Sequence, residues 1–252
     1  MKWKIFSRRP PPLDPQHWAH ALTLCPYARQ LPPGDRDRLH EVAQAFLHIK
    51  RFEGAADFEP TPVIRAVIAV KASVPILNLG LEYYDEWREI IVYPGDFRVD
   101  DEYVDDAGVM HRETRDLCGQ SLTQGPMVLS WQTIEEEREA LDRDVVIHEC
   151  AHKLDILNGD ANGFPPLHSD MQTARWTKTF ADAFERFGAD VDADFETGLD
   201  PYGAADPAEF FAVLSETFFT APAIVARDFP AVYRQLARFY RQDPRRVLRA
   251  SP

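Results

Sequence analysis

The pentapeptide His148-Glu-Cys-Ala-His152 has the residue types and the spacing of a metal-dependent hydrolase motif, H-E-x-x-H. Residues four apart lie on one face of a helix, so both imidazoles can reach a single zinc ion, Zn2+. Glu149 then lies beside the metal, where it can take a proton from zinc-activated water instead of acting as a ligand. The motif predicts a zinc peptidase with His148 and His152 as metal ligands and Glu149 as the general base.

The sequence around the motif predicts a helix from about Asp142 to Leu157. The apolar run Val145-Val-Ile147 precedes the motif, as expected for a helix buried within a domain. Buried imidazoles and carboxylates need partners, which favours a metal site over two unrelated histidines on an exposed turn. Lys153 is expected to extend its ammonium group to solvent, and Cys150 to act as a small buried hydrophobe.

A catalytic zinc ion takes three protein ligands, so a third ligand must lie outside the motif. A metzincin would have glycine at position 155 and histidine at position 158. The chain has Asp155 and Asn158 there, which excludes that pattern. We interpret Asp155 as a group that supports a ligand or the helix. The remaining candidates are Glu209 and Glu216 on a later helix, as in gluzincins.

The two glutamates share one helical segment, in which Asp206 and Pro207 are favourable N-cap and first helical residues. Both lie on one helix face, about 10 Å apart along the axis. Glu209 could instead complete a capping box, and Glu216 could be a partly buried partner of an arginine. Spacing alone does not choose between them.

Length and composition predict one globular domain over residues 1–252. The chain is 45% hydrophobic, enough for one well-packed domain or two small ones, and the absence of a Gly/Ser linker and of an internal repeat favours a single domain. Residues 1–33 are rich in proline and are predicted to be irregular, apart from a short helix around Trp18 to Leu24.

The net charge of -13 argues against direct nucleic-acid binding, which depends on clustered Lys and Arg.

Sparse cysteines and the absence of a long apolar stretch predict a cytoplasmic protein with no membrane segment and no signal peptide. Strand patterns occur in the middle of the chain and helical patterns on both sides, which predicts an α+β fold. The expected architecture is zincin-like, with a small mixed sheet, the H-E-x-x-H helix and surrounding helices. Pro126 places the strand at 125–131 either at a sheet edge or at a strand start. An edge strand near the metal helix could bind an extended peptide substrate.

The sequence resembles the Mlc titration factor A family, a group of zinc metallopeptidases, over nearly the whole chain. The last matching segment also resembles the catalytic domain of anthrax lethal factor, where Glu-Phe-Phe-Ala carries the zinc-binding glutamate and a tyrosine precedes it by seven residues. The matching segments include Leu79-Gly-Leu-Glu82, Gly119-Gln-Ser121, His148 to Asp155, Asn158-Gly-Asp160, Asp206-Pro-Ala-Glu209 and Phe211 to Glu216.

This resemblance implies Glu209 as the third zinc ligand, Tyr202 as an active-site tyrosine that stabilises the oxyanion, and Glu216 as a supporting residue. It also implies a cytoplasmic, monomeric peptidase of aminopeptidase type that acts on peptide substrates. The family further implies binding to a partner, the glucose-responsive DNA-binding transcriptional repressor Mlc. The alternative is a non-catalytic protein-binding module that sequesters such a repressor and uses zinc only structurally.

Overall fold

The computed structural model describes residues 12–95, 97–104, 110–117, 119–121, 125–137 and 142–248. The α-helices are α1 Pro15–Thr23, α2 Pro26–Gln30, α3 Pro33–Ile49, α4 Pro62–Ile76, α5 Trp131–Glu136, α6 Val145–Asp155, α7 Thr173–Asp192, α8 Pro207–Thr220, α9 Pro222–Asp228, α10 Pro230–Tyr240 and α11 Pro244–Val247. The strands are β1 Arg51–Gly54, β2 Glu89–Tyr93, β3 Phe97–Val104, β4 Met110–Leu117, β5 Gly119–Ser121 and β6 Met127–Ser130.

The predicted α+β fold with a small mixed sheet is confirmed. The main sheet has the strand order β1-β2-β6-β5, in which β1, β2 and β6 are parallel and β5 is antiparallel to β6. Strands β3 and β4 form a separate antiparallel pair. Within the described ranges, no helix is both long and apolar enough to span a lipid bilayer.

The strand led by Pro126 is not at the sheet edge. It forms β6, which lies between β2 and β5 and is hydrogen-bonded on both sides. Pro126 directly precedes the first strand residue, where its missing N–H leaves the ladder intact, so the strand-start alternative is the correct one. On this side of the sheet the edge strand is β5.

The proline-rich N-terminal segment is more helical than predicted. In residues 12–33, the part of this segment that the structure describes, α1 and α2 occupy most of the chain, and α3 begins at Pro33. Pro15, Pro26 and Pro33 are each the first residue of a helix, where the fixed φ of proline favours the helix and its missing N–H costs nothing. These prolines therefore mark the starts of helices, and the prediction of an irregular segment did not take this into account.

The motif helix α6 lies in the centre of the molecule, where it packs against α4 and α8. Its buried apolar side chains belong to one continuous hydrophobic cluster that also includes residues of the sheet and of the N- and C-terminal helices. The side chains of α6 therefore pack against neighbouring elements on several sides. Burial on this scale stabilises the helix far more than its intrinsic propensity could.

Three charged groups fix the start of α6. Lys71 on α4 places its Nζ 3.0 Å from Asp144 Oδ2 and 3.2 Å from Glu137 Oε2. The same two carboxylates accept hydrogen bonds from the first turn of α6, Asp144 from the Ile147 N–H at 3.1 Å and Glu137 from the Val145 N–H at 2.6 Å. The buried lysine thus offsets part of the charge of the two carboxylates that satisfy the free N–H groups of the motif helix.

Lys153 does not extend to solvent, and this part of the sequence analysis is wrong. The residue is 1% exposed, its Nζ donates a hydrogen bond to the Gly125 carbonyl at 2.9 Å, and it lies 5.8 Å from the centre of the Trp87 ring. Burial lowers the pKa of Lys153 to about 8. The ammonium group connects α6 to the segment that leads into β6.

Candidate metal centre

Helices α6 and α8 bring His148, His152 and Glu209 together. The Nε2 atoms of the two histidines are 3.2 Å apart. Glu209 Oε2 lies 3.2 Å from His148 Nε2 and 3.4 Å from His152 Nε2. One donor atom from each of the three residues lies within 4.8 Å of the others, and the described part of the chain contains no other group of metal-binding side chains this close.

The N-terminus of α8 explains why Glu209 faces the histidines. Asp206 caps the helix, and its Oδ1 accepts hydrogen bonds from the N–H groups of Ala208 at 2.8 Å and Glu209 at 2.9 Å. Pro207 is the first helical residue, as predicted. The Glu209 carboxylate points at both imidazoles, so its side chain contributes to the cluster on α6 and the capping is done by Asp206.

Glu216 contacts the other side of the His148 ring. Its Oε2 lies 3.2 Å from His148 Nδ1, and its Oε1 accepts a hydrogen bond from the Asp144 N–H at 2.6 Å. A carboxylate at Nδ1 favours the tautomer that carries its proton there, which leaves the Nε2 lone pair for a metal ion. Glu216 therefore orients the imidazole and also links it to the N-cap of α6.

Tyr202 lies at the solvent-exposed side of the cluster. It belongs to the 3-10 helix Pro201–Ala204, is 50% exposed, and places its hydroxyl 3.4 Å from Glu209 Oε1. Its N–H donates to Asp200 Oδ1 at 3.0 Å, and Asp200 Oδ2 lies 2.8 Å from Arg143 Nη2. Because Arg143 directly precedes the N-cap of α6, Asp200 contacts both the tyrosine backbone and the residue before the motif helix.

Glu149 is buried next to the two histidines. It is 4% exposed, and among the described residues its Oε2 has no hydrogen-bond partner. Burial raises the pKa of Glu149, while the charges of His152 and His148 lower it. A buried carboxylate oxygen without a partner is costly, so this atom fits a role in which a water molecule or a substrate group completes its hydrogen bonding.

The charges of the cluster favour a cation at its centre. Burial opposes ionisation of Glu209 and of His148. The hydrogen bonds between them nevertheless lower the pKa of the Glu209 carboxyl well below its ordinary value. Bonds from Glu209 and Glu216 likewise raise the pKa of His148 well above its ordinary value. Two imidazole nitrogens and a carboxylate oxygen are ligands that divalent transition metals bind, so the residues fit a metal ion.

Asp155 supports the loop after the motif helix. Its Oδ2 accepts a hydrogen bond from the Gly163 N–H at 2.7 Å, and within the described ranges its Oδ1 has no partner. Burial raises the pKa of Asp155 to about 6. The sequence predicts Asp155 as a support for a ligand or the helix, and it carries no signal for the contact with Gly163.

Sequence reasoning also missed Lys71, Glu137, Asp144 and Asp200. Asp144 had a local signal, since an aspartate just before an apolar helical run is a favourable N-cap. Asp200 also had one, since it directly precedes Pro201, the first residue of the 3-10 helix that it caps. Lys71 and Glu137 have none, because each acts on α6 from a different helical segment. Their roles depend on packing that brings α4, α5 and the 193–200 loop to the same end of α6.

We expect Glu216→Ala to weaken metal binding about 10- to 100-fold, because the change frees the His148 ring from the carboxylate that orients it. Glu216→Gln should recover part of the affinity, since an amide oxygen can still accept from Nδ1–H. Metal affinity is measured by competition with a chromogenic chelator. Glu185→Ala on the exposed face of α7 is the matched control, and equal affinity of Glu216→Ala and this control would contradict the assignment.

Comparison with known proteins agrees with this geometry. The family model of the glucose-regulated metallo-peptidase M90 matches residues 2–241. Mlc titration factor A of Escherichia fergusonii is 39% identical over 254 residues, which cover 100% of this chain and 96% of the relative. The protein of that name from Klebsiella pneumoniae strain 342 is 39% identical over 234 residues, 92% of this chain and 88% of the relative. The resemblance to the Mlc titration factor A family is confirmed, and the chain belongs to the glucose-regulated metallo-peptidase M90 family.

Proposed function

We propose that the chain is a zinc-dependent peptidase of aminopeptidase type. His148, His152 and Glu209 bind the zinc ion, Glu149 is the general base and Tyr202 stabilises the oxyanion. The observation that carries this proposal is the cluster of three donor atoms within 4.8 Å of one another, beside the buried Glu149 carboxylate. Two histidines and one glutamate form a known ligand set of catalytic zinc, whereas structural zinc sites have four ligands and are rich in cysteine.

Each catalytic residue has a role that its surroundings support. Zinc, when bound, polarises the scissile carbonyl and lowers the pKa of water to about 7. Glu149 accepts a proton from the attacking water and later gives it to the leaving amine. The Tyr202 hydroxyl donates a hydrogen bond to the substrate carbonyl oxygen as negative charge develops on it. Glu216 keeps the His148 ring in the orientation that the reaction needs.

We further propose that the chain is a cytoplasmic monomer whose residues 1–252 form one domain. The continuous hydrophobic cluster, which includes residues from α1 to α10, supports a single domain. Cys25 and Cys150 are buried free thiols, and burial raises the pKa of each to about 12. Such thiols are unreactive and fit a reducing compartment.

Glu149→Gln should leave about one zinc ion per chain and lower the hydrolysis rate of a fluorogenic aminopeptidase substrate about 100- to 10,000-fold, since it removes the base and keeps the ligands. Glu209→Ala should lose both metal and turnover. Elemental analysis and the fluorogenic assay give the two readouts. Glu185→Gln is the control variant, and full activity of Glu149→Gln would overturn the peptidase mechanism.

Tyr202→Phe should lower kcat about 100- to 1,000-fold with little change in KM or in metal content, because the lost hydrogen bond forms only as the oxyanion develops. Steady-state kinetics on the same substrate separate the two constants. Tyr83→Phe, another partly exposed tyrosine, serves as the control. A change confined to KM would assign Tyr202 to substrate binding and remove it from the chemical step.

A second function is favoured by the name of the relatives, Mlc titration factor A. We propose that this chain also binds a DNA-binding transcriptional repressor of the Mlc type and does not itself contact nucleic acid. Its net charge of -13 can attract a basic partner. In the non-catalytic alternative, repressor binding is the whole function.

Capture of a purified Mlc-type repressor by the wild-type, metal-free and Glu149→Gln proteins separates these alternatives. Binding by all three forms, weakened by salt, is expected if an acidic surface recognises the repressor. Such binding together with zinc-dependent peptide hydrolysis would establish two separable activities. Binding without hydrolysis of any peptide in a panel would leave only the protein-binding module, and absence of binding would remove the partner.

A further inference from the structure

Gly163 connects the helices that carry the metal-binding side chains. Its N–H donates a hydrogen bond to Asp155 Oδ2, at the C-terminal end of α6, over 2.7 Å. Its carbonyl oxygen accepts a hydrogen bond from Trp176 Nε1, on α7, over 3.1 Å. Both bonds are buried, so the short peptide segment around Gly163 is held from two sides.

Gly163 also lies directly against the first turn of α8. A Cβ atom at this position would be 2.6 Å from the Pro207 carbonyl oxygen and 3.6 Å from Phe211 Cβ. The φ of Gly163 is 74°, in the region that L-residues with a side chain rarely adopt. Glycine is therefore required for two reasons, its backbone conformation and the close approach of the α8 backbone.

The contacts of Gly163 lie next to two of the candidate ligands. Asp155 follows His152 by three residues on α6, and Pro207 precedes Glu209 by two residues on α8. The glycine thus bridges the segment that carries one donor and the segment that carries another. Zinc–ligand distances are about 2.0–2.2 Å for nitrogen and oxygen, so a displacement of α8 by a few tenths of an ångström changes the fit.

We infer that Gly163 is a positioning residue that sets the separation of His152 and Glu209, and through it the affinity for the metal. This inference rests on the proposed function, in which these two residues bind zinc. Asp155 contributes to the same positioning, because its carboxylate accepts the hydrogen bond from the Gly163 N–H. Neither residue needs to touch the metal to have this effect.

The loop offers a matched control. Gly159 also has a positive φ, 109°, but a Cβ atom there would have nothing within 4 Å. Gly159→Ala and Gly163→Ala therefore both place a side chain at an unfavourable φ, and only Gly163→Ala presses on Pro207. We expect Gly163→Ala to weaken zinc affinity about 10- to 100-fold, as changes around metal ligands commonly do, and Gly159→Ala to leave it unchanged.

Zinc affinity is measured by chelator competition, and the thermal unfolding of the metal-free proteins shows how much general stability each substitution costs. Replacing zinc by Co2+ adds a spectroscopic readout, because the visible absorption of cobalt reports its coordination. Gly163→Ala should alter this absorption and Gly159→Ala should not. Equal affinity and equal spectra for the two variants would overturn the role of Gly163.

Asp155 variants keep the test decisive if Gly163→Ala does not fold. Asp155→Ala removes the acceptor for the Gly163 N–H and should weaken zinc binding, while Asp155→Asn keeps an acceptor oxygen and should restore much of the affinity. Asp160→Ala, at an exposed position of the same loop, is the control. Wild-type protein that binds no zinc would contradict the proposed function itself. Wild-type binding with unaffected Asp155→Ala would contradict only this inference.

Discussion

The packing of α6 against α8 places several negative charges in a buried region, and the rest of the site depends on how these charges are balanced. Glu149, Glu209 and Glu216 all lie close to the imidazole of His148. Buried carboxylates are unfavourable unless hydrogen bonds and opposite charges compensate them. On one side, the two imidazoles provide part of that compensation, and a metal ion held by His148, His152 and Glu209 would add to it. On the other side, it comes from Lys71, which is buried against Asp144 and Glu137.

Asp144 joins these two sides. Its side chain binds Lys71 and caps α6, while its backbone N–H donates to Glu216, which in turn holds Nδ1 of His148. A continuous series of contacts therefore runs from a lysine on α4 to the imidazole at the candidate metal centre. Burial raises the pKa of Glu137 to about 7, so Lys71 has to offset desolvation as well as repulsion between the carboxylates. The orientation of His148 is thus connected to packing well outside the motif.

Local patterns in the sequence predict the motif helix and the α8 N-terminus, because their signals lie within a few residues: H-E-x-x-H spacing, an Asp N-cap and a proline at the first helical position. Sequence spacing cannot decide whether Glu209 or Glu216 is the third metal ligand, and the reason is physical. Both glutamates contact His148, Glu209 at Nε2 and Glu216 at Nδ1. Two residues on one helix face reach opposite nitrogens of the same ring, and only the position of α8 relative to α6 determines which glutamate can share a metal with His152.

Lys153 and Gly163 likewise depend on contacts with segments that are distant in the chain. The sequence predicts Lys153 in solvent because its side chain is long enough to extend there. In the structure its acceptor is the carbonyl of Gly125, in the segment that precedes β6. A buried ammonium group needs such a partner, and a carbonyl carries no sequence signal because every residue has one. Gly163 presents this problem in its clearest form. The requirement for glycine comes from the backbone of Pro207, in another helix. A glycine that looks locally like an ordinary loop residue is therefore constrained by the helices that carry the candidate metal ligands.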